Sequence, residues 1–179
     1  GSGLSPVVIP PTFSTGAFVI MNASVTVAGI DIQASAAFVP YGVQASSAYV
    51  TISSVNVNSF TTIYVAGVSL SSYSSLSYST ITVQNAYGMI LGGSNNAVSY
   101  STMTSSSAGF PALWLSGASS NTITRSRIAN SAGTAAYLNT GAGNNTISLS
   151  TMTGNAAGSY GLLLTGGVSN TISQSYIAN

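Results

Sequence analysis

The side chains that usually act as acids, bases or nucleophiles are nearly absent from this sequence. Its 179 residues hold one acid, Asp31, and two basic residues, Arg125 and Arg127, with no lysine, histidine or cysteine. Glycoside hydrolysis ordinarily needs two carboxylates, and a calcium site gathers several oxygen ligands, usually including carboxylates. The usual general bases and activated nucleophiles are missing as well. The sequence therefore predicts a protein that is not an enzyme, with no catalytic residue, metal site or cofactor.

Low charge also limits the expected partners. Charged residues are 2% of the chain, and the formal net charge is +1. Because no basic patch is available to neutralise phosphates, neither nucleic-acid binding nor electrostatic adhesion to anionic lipid is expected. No apolar run approaches the roughly 18 residues that span a bilayer, so membrane insertion is not expected. Hydrophobic residues are 45% of the sequence, which is enough for the continuous core of one domain.

One motif occurs three times in the last third of the chain and determines the expected architecture. It reads Asn-Thr-Ile, then Thr or Ser, any residue, Ser, any residue, and Ile or Met, and it begins at Asn121, Asn145 and Asn170. A repeat of this length is the signature of a solenoid. A leucine-rich repeat is the competing solenoid, but it needs several leucines at fixed offsets and usually a helix. No segment here shows helical periodicity.

Two apolar columns extend the repeat over about seven coils of 22 to 26 residues. The first column is Val25, Val50, Leu76, Val98, Ile123, Ile147 and Ile172. The second, five residues later, is Ile30, Val55, Ile81, Met103, Ile128, Met152 and Ile177. Strand alternation does not place residues five apart on one side, so a bend is expected between the columns.

Small residues mark that bend. Three residues after the first column lie Ala28, Ser53, Ser79, Ser101, Ser126, Ser150 and Ser175. Turned inward at a corner, serine hydroxyls can form hydrogen bonds along the rod, whereas Ala28 cannot join such a ladder. The serines therefore predict an inward-facing ladder from the second coil onward.

A third strand is expected in each coil. Its apolar pairs are Ile63/Val65, Met89/Leu91, Leu113/Leu115, Ala136/Leu138 and Leu162/Leu164. A glycine follows each pair, where the chain needs a positive φ or room to turn: Gly67, Gly92, Gly117, Gly141 and Gly166. With three short strands per coil and roughly 4.8 Å per coil, the expected rod is about 35 Å long.

The Asn-Thr-Ile motif followed by a glycine-flanked apolar strand resembles the repeats of right-handed parallel β-helix proteins, the pectin-lyase-like superfamily. It is especially similar to the Asn-Thr-Ile-rich repeats of bacterial surface and periplasmic proteins. The resemblance covers about residues 16–179 and implies an all-β, right-handed parallel β-helix. In that family the inward corner residue is often Asn, whereas the corner identified above is mostly Ser. Enzymes of the superfamily act on acidic polysaccharides with calcium-binding carboxylates and a basic residue, or with clustered acids, and this sequence has one acid.

The ends of the chain carry separate expectations. Residues 1–15 are interpreted as a proline-rich lead-in or N-terminal cap, because residues 4–15 hold three of the five prolines and cannot form a central strand. Gly1–Gly3 are either a tag remnant or a native linker. The β-helix is expected over residues 16–179. It has no polar cap after Ser175–Asn179, which predicts a segment of a longer solenoid or a protomer that stacks end to end.

Outward hydroxyl rows are the first candidate ligand surface. On the first strand the outward pairs are Ser24/Thr26, Tyr49/Thr51, Ser75/Ser77, Ala97/Ser99, Thr122/Thr124, Thr146/Ser148 and Thr171/Ser173. On the second strand they include Thr80/Thr82, Thr102/Thr104 and Thr151/Thr153, interrupted by Arg127 and Tyr176. Such rows resemble the flat faces of ice-binding proteins. The alternative interpretation is that Ser and Thr make a solenoid face soluble without charge.

Exposed rings and charges offer further contacts. Trp114 lies between inward Leu113 and Leu115, so it should face outward, either to contact a sugar or to pack against a loop. Asp31 is expected to be a solvated surface residue. Arg125 and Arg127 should point outward and either contact a small anion or sugar or keep the surface soluble, with Arg125 resting on the Tyr100 ring.

These features together predict a structural or adhesive module without catalytic activity. The resemblance places it outside the cell or on a bacterial cell surface, with the periplasm as a further location. Its expected partners are neighbouring coils or other copies of the chain, with ice or a glycan as alternative ligands. The sequence names no specific ligand.

Overall fold

The computed structural model describes residues 6–10, 14–34, 38–59 and 61–179, and over these ranges the regular structure consists of short strands without a helix. All strand pairs are parallel, and successive strands along the chain enter three different sheets in rotation. Each coil therefore contributes one strand to each sheet. This is the predicted β-solenoid of about seven turns.

Sheet 1 contains the strands Thr26–Ala28, Thr51–Ser53, Ser75–Ser77, Ala97–Ser99, Thr122–Thr124, Thr146–Ser148 and Thr171–Ser173. Sheet 2 contains Val7–Val8, Asp31–Gln33, Asn56–Ser59, Thr80–Val83, Thr102–Ser105, Arg127–Asn130, Thr151–Gly154 and Tyr176–Ala178. Sheet 3 contains Phe18–Ile20, Val39–Ala45, Ile63–Leu70, Tyr87–Leu91, Leu113–Leu115, Ala136–Leu138 and Leu162–Leu164.

The core is a column of apolar side chains inside the three sheets. On sheet 1 it comprises Val27, Ile52, Leu76, Val98, Ile123, Ile147 and Ile172. On sheet 2 it comprises Ile32, Val57, Ile81, Met103, Ile128, Met152 and Ile177. From Leu76 to Met152 the members of both columns have no exposed surface, so the register predicted for the last five coils is confirmed.

The predicted register is wrong by two residues in the first two coils. Val27 and Ile52, rather than Val25 and Val50, align with Leu76. In the same way, Ile32 and Val57, rather than Ile30 and Val55, align with Ile81. The predicted register and the observed register both place an apolar residue at every inward position, because these segments read Val-x-Val, Val-x-Ile or Ile-x-Ile. Ala28 and Ser53 consequently lie on the outer side of sheet 1 and not at the corner.

Sheet 3 departs from the prediction only in its early coils. Val68 and Leu70, rather than Ile63 and Val65, align with Met89 and Leu91. The strand Ile63–Leu70 is longer than the later strands of sheet 3, and its pairing with the preceding strand, Val39–Ala45, shifts register between Val39 and Tyr41. Counting from the start of Ile63–Leu70 therefore misplaces the inward apolar pair. Gly67 therefore lies within a strand, and Gly92 has no positive φ. Gly117, Gly141 and Gly166 have the predicted positive φ.

A column of small residues lies directly before the inward pairs of sheet 3, within the strand in the early coils and just ahead of it in the later ones. Its members are Gly42, Gly67, Gly88, Ala112, Ala135 and Gly161. A Cβ added at Gly88 would lie 2.4 Å from the Ala112 carbonyl oxygen, and one at Gly67 would lie 2.8 Å from the Gly88 carbonyl oxygen. The backbones of successive coils thus approach closely here, which only very small residues permit.

The lead-in contributes an edge strand. Val7–Val8 pairs in parallel with the strand Asp31–Gln33, and the Asp31 backbone N–H donates to the Pro6 carbonyl oxygen over 2.9 Å. It lies at the end of sheet 2, where the prolines do not interrupt a central strand. The predictions for residues 1–5 and 11–13 lie outside the described residues.

Candidate functional sites

An asparagine ladder forms the corner before sheet 1. The Asn96 backbone N–H donates to Asn121 Oδ1 over 2.8 Å, Asn121 donates in the same way to Asn145 Oδ1 over 2.9 Å, and Asn145 donates to Asn170 Oδ1 over 3.0 Å. Ser74 begins the ladder by donating its N–H to Asn96 Oδ1 over 2.7 Å. The side-chain amides thus satisfy buried backbone groups at a bend where sheet pairing cannot.

The sequence contains this ladder, but its role was not predicted. Asn121, Asn145 and Asn170 open the repeated motif, so the signal for this second corner is present in the sequence. The structure has two polar corners, one of Asn and one of Ser. The corner identified from the sequence is Ser from Ser79 onward, as predicted, and Asn occupies the other corner.

The serine ladder at the corner between sheets 1 and 2 is confirmed from Ser79 onward. The Ser101 backbone N–H donates to Ser126 Oγ over 3.3 Å, and the Ser126 N–H donates to Ser150 Oγ over 3.1 Å. The Ser126 hydroxyl in turn donates to the Thr124 carbonyl oxygen over 2.9 Å. Each hydroxyl is thereby used both as acceptor and as donor. In the second coil Val55 occupies this corner. Its side chain cannot accept a hydrogen bond, and its backbone N–H donates to Ser79 Oγ over 3.1 Å.

Each ladder residue follows a residue in the left-handed backbone region. At the serine corner these residues are Gly29, Ser54, Tyr78, Tyr100, Arg125, Leu149 and Gln174, with φ between 48° and 65°. At the asparagine corner they are Ser24, Tyr49, Tyr73, Asn95, Ser120, Asn144 and Ser169. Aromatic, branched and arginine side chains rarely adopt a positive φ. At the Tyr, Arg, Leu and Gln positions the stacked coils, and not local preference, therefore determine the bend.

The stacked bends bring aromatic rings together on the outside. Tyr49 and Tyr73 stack with ring centroids 5.2 Å apart, and Tyr78 stacks on Tyr100 at 5.0 Å. The Arg125 guanidinium lies 5.6 Å from the centroid of the Tyr100 ring, as the sequence predicted. Contacts between the rings, and between a ring and a guanidinium, on adjacent coils stabilise the stacking of those coils.

The three charged residues lie on the surface, in two separate places. Asp31 is half-buried, and its Oδ1 accepts a hydrogen bond of 2.7 Å from Asn56 Nδ2. Arg125 and Arg127 are exposed on either side of buried Ser126. Four rungs of sheet 2 separate the Asp31 strand from the Arg127 strand, which is about 19 Å. The acid and the bases cannot act on one small substrate at that separation.

The outer side of sheet 1 is a continuous surface of small uncharged side chains. Its two columns are Thr26, Thr51, Ser75, Ala97, Thr122, Thr146 and Thr171, then Ala28, Ser53, Ser77, Ser99, Thr124, Ser148 and Ser173. The predicted candidates Thr122, Thr124, Thr146, Ser148, Thr171 and Ser173 all lie on it. Ser24 and Tyr49 were predicted on this face, but the corrected register moves both to the corner. We call this surface the hydroxyl face.

The candidates on sheet 2 form a less regular surface. Thr102, Arg127, Thr151 and Tyr176 make one column, so the predicted interruptions are present. Thr104, Ala129, Thr153 and Ala178 make the other. Bulky and charged side chains therefore interrupt the rows on this side.

Trp114 lies on the outer side of sheet 3 but is partly covered. Tyr87 stacks on its indole with centroids 4.7 Å apart, and Phe110 meets Tyr87 edge-on at 5.0 Å. The Trp114 Nε1 atom is buried without a hydrogen-bond partner among the described residues. Burial, and to a smaller extent Tyr137, raises the pKa of Tyr87 above its ordinary value. The indole therefore offers less free surface to a sugar than its position in the strand implied.

Among the described residues there is no group of three or more potential metal-ligating His, Cys, Asp or Glu side chains. The same part of the chain has no helix long and apolar enough to cross a membrane. What the surface does offer is hydroxyl groups, tyrosine rings and one pair of guanidiniums. These groups can order water, contact a polar surface or bind an anion.

Coils stacked around an apolar core, with three parallel sheets and polar ladders at two corners, define a parallel β-helix. The sequence matches the family described as the right handed beta helix region over residues 15–177, and the chain belongs to that family. No curated protein and no solved structure matches the chain.

Proposed function

We propose that this β-helix is a non-catalytic structural or adhesive module of an extracellular or cell-surface protein. The observation that carries the proposal is the use of polar side chains along the rod. The Asn and Ser corners place their polar atoms in hydrogen bonds between coils, as in the bonds of Asn121 to Asn145 and Ser126 to Ser150. The ladder side chains thus hold the rod together, which supports a structural role.

The distribution of charge supports the same proposal. Asp31 is the only acidic side chain, and hydrolysis of a glycoside ordinarily requires two carboxylates. It accepts a hydrogen bond from Asn56 on the adjacent rung. The arginines lie about 19 Å further along the rod. An exterior location, with the periplasm as the other possibility, rests on the resemblance to bacterial surface repeats and on the uncharged outer faces.

A direct test combines a search for turnover with a search for adhesion. Purified chain incubated with acidic and neutral polysaccharides should release no new reducing ends, while beads coated with the chain should adhere to bacterial or polysaccharide surfaces. Turnover that is lost in Asp31→Asn or Arg125→Gln would contradict the proposal. Glycan binding abolished by Trp114→Ala would instead identify a lectin-like role.

Ice binding is the second candidate function, and the corrected register supports it. The hydroxyl face has no charged or aromatic side chain over seven rungs, because Tyr49 belongs to the corner. Rungs about 4.8 Å apart place its hydroxyl and methyl groups at regular intervals. A regular and uncharged array of this kind can order water molecules.

Thermal hysteresis of a dilute solution tests this second candidate. Ala97→Tyr places a bulky ring on the fourth of the seven rungs, in the middle of the hydroxyl face, and should abolish hysteresis if that face contacts ice. Thr80→Tyr, at an exposed threonine on sheet 2, is the matched control and should keep it. No hysteresis and unfaceted ice crystals in the unmodified chain would eliminate ice binding.

A further inference from the structure

A shallow groove of about 430 Å³ lies on the outside of the serine corner. One wall is formed by the left-handed residues Tyr100, Arg125 and Leu149, and the other by Thr102, Arg127 and Thr151 of sheet 2. The ladder residues Ser101 and Ser126 form the floor. Both arginines of the chain therefore line the same groove.

The two guanidiniums have no anionic partner in the structure. Among the described residues, neither Arg125 nor Arg127 donates a side-chain hydrogen bond or forms an ion pair. The one acidic side chain of the sequence, Asp31, lies four rungs away and accepts a bond from Asn56. Two adjacent positive charges repel each other, and a bound anion would relieve that repulsion.

The groove also holds the Arg125 guanidinium in a defined place. It lies 5.6 Å from the centroid of the Tyr100 ring, and Tyr100 stacks in turn on Tyr78, with their planes 6° apart. This cation–π contact uses none of the guanidinium N–H groups, so they remain able to donate. This placement reduces the side-chain entropy lost on binding.

Two hydroxyl groups lie beside the second guanidinium. Thr102 and Thr151 are the register partners of Arg127 on the preceding and following rungs. In the described part of the chain, neither threonine hydroxyl makes a hydrogen bond. Donors are therefore available from two arginines and from threonines on both sides of one of them.

We propose that this groove binds a tetrahedral oxyanion, the sulfate or phosphate group of a small ester, between the guanidiniums of Arg125 and Arg127. Thr102 and Thr151 donate further hydrogen bonds to its oxygens. Arginine forks match the geometry of such anions, and several donors at different directions suit an anion with three or four oxygens. A volume of about 430 Å³ leaves room for a monosaccharide-sized body beside the anion.

Nuclear magnetic resonance titration of the isotope-labelled chain tests the site. The probes are glucose 6-sulfate, glucose 6-phosphate and uncharged glucose, with sodium chloride added to keep the ionic strength equal. Both esters should shift the amide signals of Ser101, Ser126 and Thr151, and glucose should not. The ester that binds more tightly identifies the source of the oxyanion. Equal shifts with glucose or with sodium chloride alone would overturn the proposal.

Variants locate the binding on the two arginines. Arg125→Gln and Arg127→Gln should each weaken ester binding about tenfold, the effect of losing one charge-assisted hydrogen bond. Thr82→Ala, on the same sheet outside the groove, should leave the affinity unchanged. Thermal melting confirms that each variant is folded, and unchanged affinity in the double arginine variant would overturn the proposal. That outcome would leave the structural role of the rod untouched.

Discussion

At the scale of single residues, Asn145 connects three successive coils. Its Oδ1 accepts from the backbone N–H and the Nδ2 of Asn121, and its Nδ2 donates to Asn170 Oδ1 and to the Ala118 carbonyl oxygen. Asn145→Ala leaves the buried Asn121 N–H without an acceptor, which costs about 1–3 kcal/mol. We expect the free energy of unfolding, measured with urea, to fall by about 3 kcal/mol with the other lost bonds included.

The control for this prediction is another asparagine in the same part of the rod. Asn155 is exposed and makes no side-chain hydrogen bond within the described ranges. Asn155→Ala should change the free energy of unfolding by less than about 0.5 kcal/mol. Similar losses in the two variants would show that the ladder does not stabilise the rod.

Tyr87 gives a prediction on pH dependence. Burial, and secondarily Tyr137, raises the pKa of Tyr87 above its ordinary 10.0. As the pH rises past about 10, the unfolded chain loses this proton before the folded chain does, so the unfolded state binds fewer protons and stability falls. Tyr87→Phe should lose less stability than the unmodified protein between about pH 9 and pH 11, measured by urea unfolding. Identical losses would contradict this assignment.

The residue roles that could be predicted from the sequence are those for which residues of one type recur at fixed spacing or coil length brings two residues together. Ser126 and its equivalents recur at fixed spacing, and the contact of Arg125 with Tyr100 follows from the coil length. The positive φ of Tyr100 and Arg125 could not be predicted, because neither residue type prefers it. The sequence offered an anion or sugar contact as one role of the two arginines, but the groove around them could not be predicted, since its walls come from three different coils.

At the scale of strands and corners, Gly88 tests the close approach of two coils. A Cβ at Gly88 would lie 2.4 Å from the Ala112 carbonyl oxygen, so Gly88→Ala must push two backbones apart. We expect a loss of about 1–3 kcal/mol in the free energy of unfolding. Gly109→Ala is the control, because a Cβ there meets nothing within 4 Å. It should be neutral or stabilising by up to about 1 kcal/mol, and equal destabilisation in both variants would contradict the account.

Strand register was predictable only where the corners are polar. Ser79 and its successors admit one alignment, because a buried hydroxyl needs its partner on the next coil. Val50 and Val55 occupy the equivalent corners in the second coil, where apolar residues fit the core and the corner equally well. The sequence therefore left two registers open in the early coils, and backbone pairing selects one.

At the scale of the whole molecule, self-association remains a prediction. The last rung leaves Leu164 and Ile177 each 47% exposed, and a net charge of +1 provides little repulsion between copies. Strand edges in such a rung are a template for pairing with another chain. We expect the 179-residue chain to form dimers or larger species as its concentration rises, measured by light scattering.

The matched variants for self-association are Ile177→Lys and Thr80→Lys. The first places a charge on the last rung and should shift the scattering towards monomer, whereas the second lies on the side of the rod and should have no effect. A protein that stays monomeric at high concentration without either change would eliminate association through this rung.

The central claim is that the coils stack in one defined register, and paired cysteines test it most directly where sequence and structure disagree. In the structure Thr51 pairs with Ser75, whereas the register expected from sequence pairs Thr51 with Ser77. The chain has no cysteine of its own, so thiol titration after mild oxidation counts only introduced thiols. The double variant Thr51→Cys with Ser75→Cys should lose both thiols to an intramolecular disulfide, because register partners on adjacent strands lie within disulfide range. The double variant Thr51→Cys with Ser77→Cys should keep both thiols. The reverse result would contradict the stacking described here.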